Sequence, residues 1–342
     1  ITYLFCLSVT GSLLAQPNRK GVPIVTNYEH AITRGSEQNW CITQDARGVI
    51  YVGNNDKGIL EYDGEEWRRI PVPRDPMVLS MVCGNDGVVY VGADSEFGFL
   101  TPDIHGALHY RSISDSLDQD LYYFTGIWRS YYDQGKVYYC SFEYIFIYDT
   151  ALEKLSIHST GEQAYYSFLI EGSLYQSDIE KGLVKFQKDQ FLAIPGGEYF
   201  IESTITGMVK FDSTRLLVGT AYEGLYLFEP QSGKVETDFT DPELDAYLRE
   251  GMITYIRPLQ ENFVVSTLNN GVVILNREGE ALEIITESEG LVDDQVPYVY
   301  YNDGMKGASP LWIANFMGVS KLEPSNPFRV FTEMSGFEGF IT

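Results

Sequence analysis

One short pattern recurs seven times along this chain of 342 residues. Each copy has an apolar strand, a short polar loop and then a second apolar strand that usually opens on glycine, as in VIYVGNNDKGILEYDG (49–64). The anchoring glycines are Gly58, Gly98, Gly182, Gly224, Gly271 and Gly318. Their spacings are therefore 40, 84, 42, 47 and 47 residues, and the spacing of 84 contains a copy in which Tyr144 replaces glycine. A period of about 40 to 50 residues is typical of β-propeller blades.

Each copy is also preceded by a strand pattern, which we assign to the inner strand of its blade. These patterns cover Trp40–Gln44, Val78–Val82, Gly126–Tyr131, Tyr166–Ile170, Thr206–Phe211, Thr254–Leu259 and Pro297–Tyr301. Tight-turn sequences such as Asn85-Asp86-Gly87 follow several of them, and outermost strands follow a second turn, for example at 66–70, 234–239 and 281–286. The prediction is an all-β, seven-bladed β-propeller of four-stranded antiparallel blades. One short helix is expected, at 241–249.

The sequence is compatible with two ways of closing the ring. The strand at 23–28 either completes the last blade around 320–332, or pairs with further blades that this sequence does not contain. An unpaired blade edge would favour aggregation.

Charge and composition exclude several classes of partner. The chain has 24 Lys plus Arg and 48 Asp plus Glu, a formal net charge of -24, which argues against binding to nucleic acid or to an anionic membrane surface. Four His and four Cys are present with no CxxC or HxxxH spacing, so no metal site and no cofactor is predicted. Cys41, Cys83 and Cys140 lie in apolar strand patterns and are an odd number once Cys6 is removed with the leader, which predicts free thiols.

The first sixteen residues differ in composition from the rest of the chain. Residues 1–15 carry no charge and turn to small and polar residues near Gln16, which predicts a signal peptide at 1–16 with its initiator Met and basic segment missing. We expect the propeller to occupy 17–335 and residues 336–342 to begin a further blade or linker. No later window has eighteen uninterrupted apolar residues, so contact with a membrane is expected only through a part that this sequence lacks.

The first two copies carry a family resemblance. NWCITQDARGVIYVGNNDKGILEYDGEEWRRIPVP (39–73) and VVYVGADSEFGFLTPDIHG (88–106) resemble the regulator-propeller repeats in the extracytoplasmic sensor halves of two-component regulators, especially hybrid histidine kinases of Bacteroidetes. The resemblance covers 21–342. It implies a periplasmic sensor that continues into further blades, an immunoglobulin-like domain, one inner-membrane helix and a cytoplasmic output module, for which we expect a histidine kinase. Because a propeller is stiff, we expect the signal to be movement of the whole module within a homodimer. The missing glycine of the third copy and the long segment 112–125 depart from the pattern.

Candidate ligand-binding residues lie in the loops between second and third strands. Propeller ligand sites form where loops converge at one end of the central channel. These loops carry amides, carboxylates and aromatic rings, groups that bind sugar hydroxyls and stack on sugar faces, so an oligosaccharide or another small polar ligand is predicted. The residues are Asn54, Asn55, Glu96, Phe97, Glu143, Tyr144, Glu180, Tyr222, Glu223, Asn269, Asn270, Asn315 and Phe316. The alternative is that these residues serve only turn geometry.

A second candidate lies on the inner strands. Trp128 and Arg129, together with Trp40, fall on or beside predicted inner strands. A channel-facing Trp beside an Arg could hold an acidic sugar by stacking and by paired hydrogen bonds. The alternative is that the tryptophans belong to the core and that the arginine pairs with a nearby acid.

No catalytic residue is predicted. GxSxG, a Ser/Cys-His context and a phosphate-binding glycine loop are all missing from the sequence. Three alternatives remain open: a secreted propeller enzyme, either a glycoside hydrolase or a polysaccharide lyase with carboxylates from several blades; the same sensor joined to a diguanylate cyclase or a helix-turn-helix output; and a purely scaffolding role. An enzyme would turn its ligand over, whereas a sensor would bind it without product.

Overall fold

The computed structural model describes residues 21–117, 124–161, 163–304 and 309–331. Their strands form seven sheets of four antiparallel strands each. Each innermost strand contacts the innermost strand of the next sheet, and the seventh contacts the first, so the sheets close into a ring. The predicted seven-bladed propeller is confirmed. The predicted segments 1–16 and 336–342 lie outside the described residues.

The strands follow the predicted order within each blade, from the channel outward. Blade 1 is β2 to β5, blade 2 is β6 to β9, blade 3 is β10 to β13, blade 4 is β14 to β17, blade 5 is β18 to β21, blade 6 is β22 to β25, and blade 7 is β26 to β28 with β1 outermost. The strands are β1 Val25–Glu29, β2 Asn39–Gln44, β3 Ile50–Asn54, β4 Ile59–Tyr62, β5 Trp67–Ile70, β6 Val78–Cys83, β7 Val89–Ala93, β8 Glu96–Pro102, β9 Leu108–Ser112, β10 Arg129–Asp133, β11 Lys136–Cys140, β12 Tyr144–Asp149, β13 Lys154–Ser159, β14 Ala164–Ile170, β15 Ser173–Asp178, β16 Gly182–Gln187, β17 Gln190–Ala193, β18 Ile205–Lys210, β19 Leu216–Thr220, β20 Gly224–Glu229, β21 Lys234–Glu236, β22 Ile253–Leu259, β23 Asn262–Thr267, β24 Val272–Leu275, β25 Ala281–Ile285, β26 Tyr298–Tyr300, β27 Leu311–Asn315 and β28 Gly318–Leu322.

The helices lie in the connections. They are the α-helices α1 His30–Thr33 and α2 Pro242–Gly251, and the 3-10 turns Ser114–Ser116, Gly197–Phe200 and Glu287–Glu289. Helix α2 confirms the predicted helix: the Asp241 carboxylate accepts from the backbone N–H groups of Glu243 and Leu244, and Pro242 occupies the first turn. No helix among the described residues is long and apolar enough to cross a membrane.

The ring closes through the first strand. β1 lies antiparallel to β28, with Val25 opposite Leu322 and Glu29 opposite Gly318. The Tyr28 ring on β1 packs against Trp67 of blade 1 at 5.4 Å and stacks on Trp312 of blade 7 at 5.9 Å between ring centroids. Of the two strand pairings that the sequence allowed, the structure has the one in which β1 completes the last blade.

One expected strand begins later than predicted. We predicted the inner strand of blade 3 over 126–131, but β10 begins at Arg129. The backbone of Gly126 instead bridges Asp94 of blade 2, and the Ile127 N–H donates to the Ala93 carbonyl. This segment is therefore held to the neighbouring blade before the chain enters its own sheet.

Glycines on the second strands allow the blades to approach closely. A Cβ added at Gly53 on β3 would lie 2.5 Å from both the Val78 carbonyl oxygen and the Cys41 sulfur. One added at Gly92 on β7 would lie 2.4 Å from Ile127 of blade 3. The repeated Val-Gly ending of these strands thus reflects packing between successive blades.

We expect Gly53→Ala to lower the free energy of unfolding by about 1–3 kcal/mol, because the new methyl group would overlap backbone that cannot move aside. Urea denaturation followed by fluorescence measures the change. Gly304→Ala is the matched control, since within the described part of the chain its Cβ would meet only the Asn302 side-chain oxygen, at 3.3 Å. Equal stability of the two variants would contradict the proposed packing role of Gly53.

The cysteines are free thiols, as predicted. Cys41 and Cys140 are buried and Cys83 is half-buried. Burial raises the pKa of the Cys140 thiol to about 12 and that of Cys83 to about 11, so both are expected to be protonated and unreactive near neutral pH.

Candidate functional site

The two ends of the propeller carry different connections. Because strands alternate in direction within each blade, the loops between second and third strands and the connections between blades share one end, which we call the upper face. The inner strands begin at this face. Side chains at their first positions therefore surround the upper end of the central channel.

A pocket of about 210 Å³ occupies this position and is called here the channel-mouth pocket. Residues at or just before the beginnings of inner strands supply most of its wall. The lining residues are Trp40, Leu79, Trp128, Arg129, Tyr166, Thr206, Met252, Ile253, Thr254, Leu268, Pro297 and Phe316. Only Leu268 and Phe316 come from the loops between second and third strands.

β-bulges direct these side chains. In blade 1, Asn39 pairs with Asn54 and Cys41 pairs with Gly53, so Trp40 is an extra residue in its strand. The same irregularity falls at Leu79, Thr206 and Thr254, and in blade 4 it lies between Ala164 and Ser167, which includes Tyr166. A bulge bends a strand and re-aims a side chain, and such bulges are common next to functional sites. In five blades the re-aimed segment supplies a wall of the pocket.

Aromatic rings form one continuous side of the pocket. The Trp128 ring stacks on Phe142 with centroids 5.6 Å apart and planes 10° apart. Its edge contacts are with Trp40 at 6.2 Å and Tyr166 at 6.1 Å, and Trp40 also meets Phe316 at 5.3 Å. Such a wall suits the apolar face of a sugar or another flat ring.

Arg129 lies beside these rings and is held by neutral groups. Its guanidinium donates to the backbone carbonyls of Trp128 and Thr206, each at 3.0 Å. It also lies over the Tyr166 ring at 4.4 Å and the Tyr255 ring at 5.0 Å from the centroids. No ion pair within 4 Å involves Arg129 in the described part of the chain. The predicted alternative, pairing with a nearby acid, is not what the structure contains.

Three hydrogen-bond donors of the pocket have no partner among the residues that the structure describes. They are the indole Nε1–H groups of Trp40 and Trp128 and the Nε–H of Arg129, all buried in the described protein. An unsatisfied buried donor costs about 1–3 kcal/mol, so each such group calls for an explanation such as a ligand or a bound water. The hydroxyls of Thr206 and Thr254 instead donate to backbone carbonyls at 2.8 and 2.6 Å.

Backbone strain accompanies the pocket. Helix α2 ends at Gly251, and the following residue, Met252, has a φ of 60°, a value that non-glycine residues rarely adopt. Strained residues of this kind cluster at functional sites. Here the strain brings a flexible apolar side chain to the pocket wall.

Two buried tyrosines of the inner strands are neutral. Burial raises the pKa of the Tyr131 and Tyr298 phenols well above the ordinary value. Tyr298 packs on Tyr255 with centroids 4.4 Å apart, and the Tyr131 hydroxyl donates to the Ser167 carbonyl at 2.9 Å. Neither Tyr131 nor Tyr298 therefore supplies a phenolate at neutral pH to neutralise Arg129.

Of the predicted site residues, Trp128, Arg129 and Phe316 line the pocket, and so does Trp40, which the sequence analysis considered together with Trp128 and Arg129. The loop residues Asn54, Asn315, Glu96 and Phe97 are buried. Asn54 Nδ2 donates to the Ser36 carbonyl and to Asn39 Oδ1, and Asn315 Nδ2 donates to the Asp293 carbonyl.

Glu96 and Phe97 lie inside blade 2. The Glu96 carboxylate accepts from the hydroxyls of Tyr110, Ser112 and Ser114 and pairs with Arg74. Phe97 packs against Tyr139 and Phe146 of blade 3 with centroids 4.7 Å away. These contacts hold the loop and the blade interface together.

The other predicted loop residues lie on the upper face, outside the pocket. They are Asn55, Glu143, Tyr144, Glu180, Tyr222, Glu223, Asn269 and Asn270. Glu143 accepts from the backbone and hydroxyl of Thr125, and Asn270 exchanges hydrogen bonds with Tyr247. Tyr222 is 60% exposed. Second strands lie one strand spacing, about 4.8 Å, outside inner strands, so most of their loops do not reach the channel. Contact of these residues with a ligand stays a prediction.

The sequence contained a signal for the pocket residues that we did not predict. Leu79, Thr206 and Thr254 each occupy the second position of an inner strand, the position that Trp40 has in blade 1. Aligning the inner strands of the repeats at that position would have collected them.

No family model and no curated protein matches the chain. Solved structures do match in fold. Extracellular domains of two hybrid two-component systems from B. thetaiotaomicron align with TM-scores of 0.67, at 15% and 14% identity over 88% of this chain. Virginiamycin B lyase from Staphylococcus aureus aligns with a TM-score of 0.64 at 14% identity, over 88% of this chain and 99% of the lyase.

The chain spans 40% and 42% of the two extracellular domains that it matches. It therefore resembles these extracellular domains in fold. Lyase propellers share the fold as well.

Proposed function

We propose that this chain is the extracytoplasmic ligand-sensing propeller of a two-component signal-transduction regulator, and that it binds a glycan or another small polar ligand in the channel-mouth pocket. The observation that carries the proposal is the set of three buried, unpartnered donors on Trp40, Trp128 and Arg129 around one pocket. Those donors would gain partners when a ligand binds.

The size of the pocket limits what it can hold. Its volume of about 210 Å³ is below the roughly 300–1,000 Å³ of sites for drug-sized ligands. One ring of an oligosaccharide, or one free ring compound, fits this volume better than a chain does. The rest of a longer ligand would extend over the upper face, where the predicted loop residues such as Tyr222 and Asn269 lie.

The wider protein is proposed from the likeness to sensor domains. We propose a periplasmic location, an inner-membrane anchor beyond this sequence, a histidine kinase output and a homodimer. A propeller is stiff, so ligand binding would act by moving the whole module within a dimer. A diguanylate cyclase or a helix-turn-helix output would use the same sensing module.

The competing function is a propeller enzyme, which the lyase likeness favours. A histidine-to-alanine variant among those lyase structures is described as catalytically inactive. The described residues that line the channel-mouth pocket include no histidine and no carboxylate. The pocket therefore lacks the side chains that most often act as general acid or base, and binding without turnover is the better proposal.

A thermal-shift screen of the chain against plant, host and microbial oligosaccharides tests this proposal, with chromatography of each mixture after overnight incubation. A ligand present at 100 times its Kd should stabilise the protein by about 2.7 kcal/mol. Stabilisation with the sugar intact supports a sensor. Cleavage of the sugar would establish the enzyme instead, and no stabilisation across the panel would count against a ligand site in this chain.

A further inference from the structure

We infer that the channel-mouth pocket selects ligands that carry a carboxylate or a similar planar anionic group on a ring, and that Arg129 is the residue that selects them. The inference rests on the proposed function, because it names the chemical class of ligand for the same pocket. It excludes neutral sugars as the preferred ligand.

The charge at the pocket is opposite to that of the chain. The protein has a formal net charge of -24, with 48 acidic residues against 24 Lys plus Arg. Among the described residues lining the pocket, Arg129 is the one charged side chain. Several other arginines pair with acids, for example Arg47 with Asp45, Arg215 with Asp212 and Arg249 with Asp245. Arg129, in contrast, forms no ion pair with any described residue, so its positive charge can attract an anionic ligand.

The guanidinium is already oriented. Two backbone carbonyls and the faces of Tyr166 and Tyr255 fix its position, and none of these groups neutralises it. Its Nε–H is buried and unpartnered. A fixed guanidinium with free N–H groups is the geometry that carboxylates bind through charge-assisted hydrogen bonds.

The neighbouring free groups point to the same class of ligand. The indole N–H groups of Trp40 and Trp128 can donate but cannot accept. The lining side chains include no Asp, Glu, Asn or Gln in the described residues, so carboxylate and amide acceptors for sugar hydroxyl protons are missing there. A ring carboxylate only accepts, so it matches these donors better than the hydroxymethyl group that a neutral sugar carries at the same position.

Matched acid and ester pairs test the inference directly. Galacturonic acid and glucuronic acid, each as the monosaccharide and as a trisaccharide, are titrated by calorimetry beside their methyl esters, which keep the ring and remove the charge. We expect the acids to bind at least tenfold more tightly than the esters. We expect Arg129→Gln to weaken acid binding about 10- to 100-fold, the effect of losing a charge-assisted hydrogen bond.

Two further variants separate charge from folding. Trp128→Phe keeps the ring stack but removes an indole donor, and it should weaken acid binding by a smaller factor than Arg129→Gln does. Arg257→Gln is the matched control, because Arg257 lies at a different level of the channel with Tyr131 and Pro258, and it should leave acid binding unchanged. Circular dichroism verifies that each variant is folded.

The outcomes distinguish the inference from the proposed function. Ester binding equal to acid binding, or acid binding that is insensitive to Arg129→Gln in a folded variant, would overturn the inference and leave the sensor proposal standing. Failure of these acids alongside binding of neutral oligosaccharides in the wider screen would do the same. Absence of binding by any compound in both experiments would overturn both.

Discussion

Replacing Trp128 by alanine is expected to raise the Kd of the ligand at least about 30-fold, a loss of about 2 kcal/mol or more that is typical of a central aromatic contact. Trp128 contacts Phe142, Trp40 and Tyr166, so it links these rings into one aromatic wall. Removing the ring takes away both the stacking surface and one free N–H donor. Calorimetric titration with the tightest ligand of the screen measures the effect.

Tyr222→Ala is the matched control for this prediction. Tyr222 is also an aromatic residue of the upper face, but it is 60% exposed and lies in the loop after β19, outside the pocket. We expect this variant to change the Kd by less than threefold. If instead Tyr222→Ala abolished binding and Trp128→Ala did not, the site would lie on the outer loops that the sequence first indicated.

The second large effect is expected on stability. A chain that begins at His30 lacks β1, so blade 7 loses its outermost strand and the edge of β28 is exposed. Loss of the β1 ladder together with the half-buried Tyr28 ring, which contacts Trp67 and Trp312, is comparable to a large-to-small core substitution, which costs about 3–5 kcal/mol. An unfolding entropy of about 2.1 cal/mol/K per residue gives about 1.4 °C per kcal/mol for a chain of 342 residues, so we expect the Tm to fall by about 4–7 °C, with aggregation through the open edge.

A chain that begins at Gly21 is the control, since it keeps β1 and the bridge between Val22 and Val330. Differential scanning calorimetry compares the two chains. A synthetic peptide of residues 21–29, added to the shorter chain, should restore the Tm in a concentration-dependent way because it binds only the folded ring. An unchanged Tm in the shorter chain would show that β1 does not close the propeller.

The sequence predicted the fold well because the repeat reflects forces that are local to each blade. Turn residues mark the hairpins, and second-strand glycines such as Gly53 and Gly92 sit where the next blade leaves no room for a Cβ. The start of β10 was less predictable, because Gly126 pairs with a different blade and strand patterns do not encode partners.

The site was predicted only in part, for two physical reasons. A bulge inserts one residue, and the alternation of a strand does not reveal which residue is re-aimed into the channel, so Thr206 and Thr254 were missed. Polar loop residues also resemble ligand-binding residues when they hold the loop itself, as Glu96 and Asn54 do through their hydrogen bonds. Trp128 and Arg129 could be predicted because they fall on or beside an inner strand, and inner strands line the channel.

A crystal structure of the chain with the tightest ligand of the screen tests the central proposal most directly. We predict a ring packed against Trp40 and Trp128, with an acceptor oxygen within hydrogen-bonding distance of the Arg129 Nε–H. A ligand bound elsewhere, for example in the cleft of about 560 Å³ lined by Phe211, Arg215 and Arg277, with none in the channel-mouth pocket, would contradict it.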